Sequence, residues 1–405
     1  MAEKLAELEA GGIPVSLDEI NRRYHDHGRD PDGNAAPVYQ RAFAEQVSVD
    51  LPVEEFTNAL QGAAQHHPID SEQMEAIAEV VPGNQEAIRL YQEAAQYPYL
   101  RFQLDFTKGD ELVLPHVSRI RNGARLLAGK AILAAERGNL DDAAEAISAI
   151  FGLAIHLSEE PGIISQLSRV VIERFGRIAL EQILARVELS SPLLASLQSS
   201  VHAAEIAPRM IPAFEGELAK TEWYFKQIEE GVPFEDDISG PLKKASFFFY
   251  RASGRITRDQ QLFVTRMEEL LTLVKLPHAE RLQVDWDGVV EISGQSAVGE
   301  ILAGIIIPSM GRVVDSDTRS VTYLRTTRIG LATERYRSEH GNFPLRPGDL
   351  TPAFLDEMPE DPYGANGAFE FAVEDDAFYV RGNGTVERRN NGGGIPIQFA
   401  LPVER

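Results

Sequence analysis

Apolar residues recur at spacings of three and four through most of the chain, which is the periodicity of amphipathic α-helices. The pattern is strongest between residues 115 and 187. Within it, Leu126–Ile147 predicts a helical hairpin, because Gly138 and Asn139 are residue types that end one helix and begin the next. Small side chains on both predicted helices would let them pack closely: Ala131, Ala134, Ala143 and Ala146.

This hairpin resembles one tetratricopeptide-type unit, with alanine near the end of its first helix and Gly-Asn at the turn. No second clear copy follows at a fixed period, so an irregular helical bundle or solenoid is predicted. A capping box at Ser16–Glu19 predicts an earlier helix start. Further helix breaks are expected near Pro161, Pro192, Pro208 and Pro277.

The pattern changes towards the C-terminus. One long helix, or two in line, is predicted over residues 293–340, with a kink at Pro308. Beyond Pro344, apolar and polar residues alternate in three short segments, which predicts a small antiparallel sheet with Pro396 on an edge strand. These segments are 368–373, 377–381 and 395–401.

The predicted fold is therefore mainly α. Residues 1–290 form a helical scaffold domain, a bundle or solenoid. Residues 291–405 form a small α+β domain, in which the long helix precedes the antiparallel sheet.

Composition and charge narrow the possible partners. The chain has 39 Lys and Arg against 62 Asp and Glu, a formal net charge of -23, so it would repel nucleic-acid phosphates and no nucleic-acid partner is predicted. It has no cysteine, which excludes disulfides, thiolate zinc sites and cysteine nucleophiles. Its most apolar run, Ile301–Pro308, is shorter than the roughly 20 residues that cross a bilayer. We therefore expect no membrane span in this chain, which as given is expected to be soluble.

Four segments in the C-terminal region carry a family resemblance. They are the apolar run ending at Pro308, then Leu331–Pro344 with its final His-Gly-Asn-Phe-Pro, then Asp361–Gly364, and finally Phe378–Gly384. In this order they resemble the soluble domain of a major pseudopilin of type II secretion, a relative of type IV pilins. The resemblance implies a helix packed on a small antiparallel sheet. Its inward face would comprise Leu324, Ile329, Leu331 and Tyr336.

A second resemblance involves the whole chain. Asn34–Tyr39, Leu114–Ser118 and Ile164–Leu167 are similar to segments of large bacterial helical proteins that end in a pseudopilin-like region. Members of that group usually have an N-terminal membrane anchor, which this sequence does not show. The resemblance implies an extracytoplasmic, periplasmic location in an envelope protein, with the cytoplasm as the alternative.

The pseudopilin resemblance also raises the question of calcium. In that family a terminal loop can bind calcium through carboxylates and backbone carbonyls. The matching stretch is Gly382–Gly394, and its candidate ligands are Asn383, Glu387, Asn390 and Asn391. Calcium prefers several carboxylates, and this stretch offers one, so a plain Gly-rich loop is the favoured interpretation. No other cofactor is predicted.

Residues with acid–base side chains form no recognised catalytic motif. His66 and His67 are adjacent and would diverge on a helix, which disfavours a metal pair. His156 and Glu160 are four residues apart and could form a proton-transfer pair, but a surface hydrogen bond near a helix end is favoured. His116 is predicted to cap or pack. No catalytic or metal-binding residue is therefore predicted.

Two other groups of side chains are interpreted as structural. Acidic residues cluster at Asp105, Asp110 and Glu111 and again at 235–237, in both cases in predicted solvated loops. The aromatic run 247–250 is predicted to lie in the core, with an exposed docking patch as the alternative.

These observations predict a non-catalytic binding or structural protein of an envelope-associated assembly, related to secretion or pili, with an unidentified protein partner. Two alternatives remain open: a hydrolase-like enzyme with its site in the helical domain, and a cytoplasmic helical adaptor. A deep pocket with converging polar groups would favour an enzyme, whereas a broad apolar or acidic surface would favour a scaffold.

Overall fold

The computed structural model describes residues 1–26, 28–47, 69–232, 250, 252–281, 284, 301–364, 366–374, 377–386 and 395–403. Most of these residues are helical, as the periodicity predicts. The α-helices are α1 (Ala2–Ala10), α2 (Leu17–His25), α3 (Ala36–Glu45), α4 (Ser71–Gly83), α5 (Gln85–Ala94), α6 (Pro115–Glu136), α7 (Leu140–His156), α8 (Ile163–Leu184), α9 (Ser191–Ile206), α10 (Ile211–Glu230), α11 (Arg255–Leu273), α12 (His278–Arg281) and α13 (Ile301–His340). Short 3-10 segments lie at Pro31–Gly33, Phe106–Glu111 and Pro347–Leu350.

The predicted helical hairpin is present as α6 and α7. Gly138 adopts a φ of 77°, in the left-handed region that glycine enters without steric cost, and it ends α6. Asn139 is the N-cap residue directly before α7, as predicted, but its side chain makes no capping hydrogen bond. The four predicted alanines are all buried, which lets the two helices approach closely.

The predicted capping box at the start of α2 is only half formed. The Ser16 hydroxyl accepts a hydrogen bond from the Glu19 amide at 3.3 Å. The Glu19 carboxylate instead binds two arginines of its own helix, Arg22 and Arg23. Because the Glu19 carboxylate pairs with these arginines, it does not accept the hydrogen bond from the Ser16 amide that a full capping box requires.

The long C-terminal helix is continuous from Ile301 to His340 and contains Pro308. Residues 293–300, where its start was predicted, lie outside the described residues. The buried carboxylate of Asp259, on α11, accepts hydrogen bonds from the amides of Leu302 and Ala303 at 2.9 and 3.0 Å. Because the first amides of a helix have no partner within it, this carboxylate caps α13 at its observed start.

The three predicted strands form one antiparallel sheet in the order β1-β2-β3. They are β1 (Glu370–Glu374), β2 (Ala377–Val386) and β3 (Ile395–Pro402). Pro396 lies on β3, which is an edge strand as expected. Phe399 of β3 lies so close to Gly330 of α13 that a Cβ there would be 2.3 Å from its ring. Glycine at this position lets the sheet pack directly on the second half of α13.

Two large apolar cores lie on either side of the middle of α13. The larger runs from α3 through the hairpin and α8 to the sheet, and it includes Leu324 and Ile329 of α13. The second contains the first half of α13, packed with α10 and α11. Among the helices that the described ranges contain, none has an apolar stretch long enough to cross a membrane.

Candidate functional site

The three segments that carry the whole-chain resemblance meet in one buried cluster at the open end of the α6–α7 hairpin. The first contributes Asn34, whose side-chain oxygen accepts from the amides of Ala36 and Arg101 at 3.1 and 2.9 Å. Its amide nitrogen donates to the Arg101 carbonyl at 2.8 Å. One side chain therefore joins the start of α3 to the extended segment that follows α5.

His156 lies at the centre of this cluster, at the end of α7. Its Nδ1 is 2.9 Å from the Tyr39 hydroxyl and its Nε2 is 2.9 Å from the Tyr97 carbonyl. A carbonyl only accepts, so Nε2 carries the proton and Nδ1 accepts from Tyr39. Burial lowers the pKa of His156 to about 4, so the ring is neutral at physiological pH.

The predicted contact between His156 and Glu160 at the surface is therefore wrong. Both side chains are buried, and Glu160 bonds elsewhere. Its Oε2 is 2.8 Å from Nε2 of His116, and its Oε1 accepts a hydrogen bond from the Ser165 hydroxyl. The chain turns between α7 and α8 at this point, so the helical spacing on which the pairing rested no longer applies.

His116 packs as predicted, and it also has the polar partner just described. Its ring lies against Phe102, with centroids 4.5 Å apart. Next to Ser165, the fully buried Gln166 donates through Nε2 to the carbonyls of Leu157 and Ser158, both at 2.9 Å. These bonds satisfy carbonyls at the end of α7 and tie them to the start of α8.

The order of groups in this cluster differs from that of a hydrolytic triad. In such a triad an imidazole lies between the hydroxyl and the carboxylate and accepts the hydroxyl proton. Here the Glu160 carboxylate lies between Ser165 and His116 and bonds both. All three side chains are buried, so their hydrogen bonds join chain segments to one another. The arrangement gives mechanical support to this end of the scaffold.

The other sequence candidates lie elsewhere. Asp105, Asp110 and Glu111 are exposed, as predicted, and Asp105 accepts from the amide of Thr107 at 3.1 Å. Asp110 accepts a hydrogen bond from the Tyr224 hydroxyl. His66, His67, the acidic run 235–237 and aromatic residues 247–249 lie outside the described residues, whereas the last residue of that run, Tyr250, is buried.

Of the calcium candidates, only Asn383 belongs to the described residues. Its side-chain nitrogen donates to Asp361 Oδ2 at 2.7 Å, and its backbone amide donates to the same oxygen at 2.7 Å. Asp361 is fully buried, and these bonds fasten its turn to β2. No group of three or more His, Asp or Glu is arranged to hold a metal ion in the described part of the chain. Glu387, Asn390 and Asn391 lie outside it.

Sequence reasoning missed a buried network of charges between α8 and α13. Arg209 binds both oxygens of Glu173 at 3.0 and 3.1 Å and Asp317 at 2.5 Å. Arg169 donates to Glu173 at 2.9 Å, and Arg281 reaches Asp317 at 3.3 Å. Burial alone would raise the pKa of Asp317, but Arg209 outweighs it and holds that pKa far below its ordinary value.

A sequence signal for this network was present on α8. Arg169, Glu173, Arg177 and Glu181 alternate in charge at spacings of four, which places them in one row along the helix. On an exposed helix such a row would be solvated. Here it is buried because α10, α13 and β3 pack against α8, and those neighbours are known only from the tertiary structure.

A second buried carboxyl was also missed. Glu222, on α10, is only 1% exposed. Gln260 of α11 donates to its Oε2 at 2.7 Å, and its Oε1 has no hydrogen-bond partner among the described residues. Burial raises the pKa of Glu222 to about 7. This carboxyl is therefore partly protonated at neutral pH.

Comparison with protein-family models, with curated proteins and with solved structures found no match for this chain.

Proposed function

We propose that this chain is a non-catalytic binding protein of an envelope-associated assembly related to secretion or pili. The observation that carries the proposal is the way the C-terminal region is built. The second half of α13 packs on a three-stranded antiparallel sheet through Gly330 and Phe399, which is the arrangement that the pseudopilin resemblance implies. Domains of that family assemble and bind, and they do not catalyse.

The first half of α13 supports a more specific role. Leu302, Ala303 and Ile307 are fully buried in the core formed with α10 and α11. In pseudopilins the corresponding apolar helix anchors the subunit and packs in a filament core. Here the scaffold already covers it, so we propose that the chain binds an assembly through its outer surface and does not enter a filament through this helix.

The polar cluster around His156 is consistent with this proposal. Each ring nitrogen of His156 has a hydrogen-bond partner from another segment of the chain, and both carboxylate oxygens of Glu160 are hydrogen-bonded. A buried polar network of this kind specifies one arrangement of the chain. It would hold the outer faces of α6 and α8 in fixed positions, as a binding surface requires.

The test is affinity capture with the purified chain as bait, from the envelope and cytoplasmic fractions of the source organism. The proposal predicts that pilus or secretion components, or one envelope protein, are enriched over a denatured-bait control. Capture only from the cytoplasmic fraction would favour a cytoplasmic adaptor. No captured protein, together with a small molecule that stabilises the chain in a thermal-shift screen, would overturn the proposal and favour an enzyme.

A further inference from the structure

The outer face of α8 combines exposed apolar residues with arginines. Ile164, Leu167, Val171 and Arg174 follow one another at spacings of three and four, so they form one stripe along the helix. Ile164 is 65% exposed and Leu167 is 37% exposed, whereas Val171 is partly buried and Arg174 is exposed. We call these four residues the α8 stripe. Apolar side chains repeated along one exposed helix face can contact a partner surface.

Neighbouring helices border this helix on two sides. On one side, the Arg125 guanidinium of α6 lies over the ring of Phe175, 5.4 Å from its centroid. On the other, the Arg177 guanidinium lies over the ring of Tyr323 of α13, 4.5 Å from its centroid. Thus α6 and α13 both contact α8, and the stripe lies on the face between them.

The arginines along this face have no carboxylate partner in the ranges that the structure describes. Arg121 and Arg125 are one turn apart on α6, and neither forms an ion pair with the described part of the chain. The Nε atoms of both are buried and have no hydrogen-bond partner there. Among the described residues, Arg125 donates only to Asn122, at 3.0 Å. Arg174 forms no ion pair with a described residue either. Although the chain as a whole has a net charge of -23, these arginines form a local positive surface with no paired carboxylate among the described residues.

We propose that the α8 stripe and its bordering arginines bind an acidic amphipathic helix of a partner protein. The apolar face of such a helix would cover Ile164 and Leu167, in the manner of a helix bound in a groove. Its Glu or Asp side chains would pair with the guanidinium groups of Arg121 and Arg125, and arginine–carboxylate pairs are among the stronger charge-assisted hydrogen bonds. This inference rests on the proposed binding function and names the class of partner.

The first experiment is selection of a phage-displayed library of random 16-residue peptides on the immobilised full chain. We expect enriched peptides to have apolar residues at i, i+3 or i+4, and i+7, together with a net negative charge. Enrichment of neutral or basic peptides, or no enrichment, would contradict the proposal.

The second experiment measures binding of the most enriched peptide by fluorescence anisotropy. The double variant Arg121→Glu with Arg125→Glu should weaken binding at least tenfold, and Ile164→Asp with Leu167→Asp should do the same. The control is Arg137→Glu, the same type of substitution at one exposed position at the end of α6, about 18 Å from Arg125 at 1.5 Å per residue. If the control and the Arg121/Arg125 variant bind the peptide equally well, the proposal that these arginines bind the acidic helix is wrong.

Two further outcomes separate this inference from the proposed function. If affinity capture recovers the same partner with wild type and with the Arg121/Arg125 variant, the binding function stands and this surface is rejected. If the wild-type chain sediments as a dimer that the variant cannot form, the occupant is a second copy of the chain, and the partner class proposed here is wrong. Circular dichroism of each variant is compared with wild type first, and binding is compared only between variants that keep the wild-type helical signal.

Discussion

Replacing Glu222 by glutamine should make the protein more stable at neutral and alkaline pH. Glu222 is buried between α10 and α11 and has one hydrogen-bond donor, Gln260. Glutamine has nearly the same shape and can still accept the bond from Gln260. What the substitution removes is the cost of holding an ionised carboxylate in a buried position.

The sign and size of the effect follow from the pKa of this carboxyl in the two states. In the unfolded chain it is near 4.5, and in the folded protein burial raises it to about 7. Between these values the folded state binds more protons than the unfolded state, so stability falls as pH rises. A difference of about 2.5 pKa units corresponds to roughly 3 kcal/mol, lost progressively between about pH 4.5 and pH 7 and constant above that. The glutamine variant does not titrate and should not show this loss.

The assay is urea unfolding at pH 4.5, 6 and 8, followed by tryptophan fluorescence. Trp223, next to Glu222 in the sequence, packs over Gly109 and reports directly on this region. At pH 4.5 the two proteins should differ in free energy of unfolding only through the altered hydrogen bond to Gln260. At pH 8 the free energy of unfolding of the variant, relative to wild type, should be about 3 kcal/mol higher than at pH 4.5. The control is Glu230→Gln, the same chemical change at an exposed position of α10, where burial does not act on the side chain.

A difference in stability that stays the same from pH 4.5 to pH 8 would refute the reasoning. It would mean that the Glu222 carboxyl titrates at the same pH in the folded and unfolded states. The carboxylate would then have a partner or solvent access that compensates its charge in the folded protein.

Three further substitutions test the contacts that hold α13 in place. Gly330→Ala should destabilise the protein by about 1–3 kcal/mol in thermal unfolding, because the new methyl group would overlap the Phe399 ring, and adding Phe399→Leu should restore part of the loss. Asp259→Ala should cost about 1–3 kcal/mol for each amide left without its acceptor, seen as faster hydrogen exchange at the start of α13; unchanged exchange would contradict the capping role. Asp317→Asn should lower the free energy of unfolding by about 3–5 kcal/mol in urea, because Arg209 loses a buried counter-charge. An unchanged free energy of unfolding would show that water compensates the Arg209 charge.

Much of the fold followed from local patterns. The α6–α7 hairpin could be predicted because glycine at position 138 suits a left-handed turn and the flanking residues have helical periodicity. The three strands could be predicted because side chains alternate across a sheet, and Pro396 identified an edge because proline cannot donate to a ladder. Such signals depend on residues close together in the sequence.

The candidate site was predicted less well. His156 and Glu160 have the spacing of a helical pair, but the chain leaves the helix between them, and Glu160 instead contacts His116, 44 residues away. The row of alternating charges on α8 has the pattern of a solvated helix face. It forms a buried network only because other elements cover it.

The sequence by itself determined the helical class of this protein, its strand positions and its turn residues, because each depends on backbone preferences and on apolar spacing within a short segment. Only the tertiary structure decided which charges are buried and with which partners. The pKa of Glu222, the capping of α13 by Asp259 and the surroundings of Arg121 and Arg125 all depend on neighbours distant in the chain. Desolvation and pairing energies arise from those neighbours, and no local pattern encodes them.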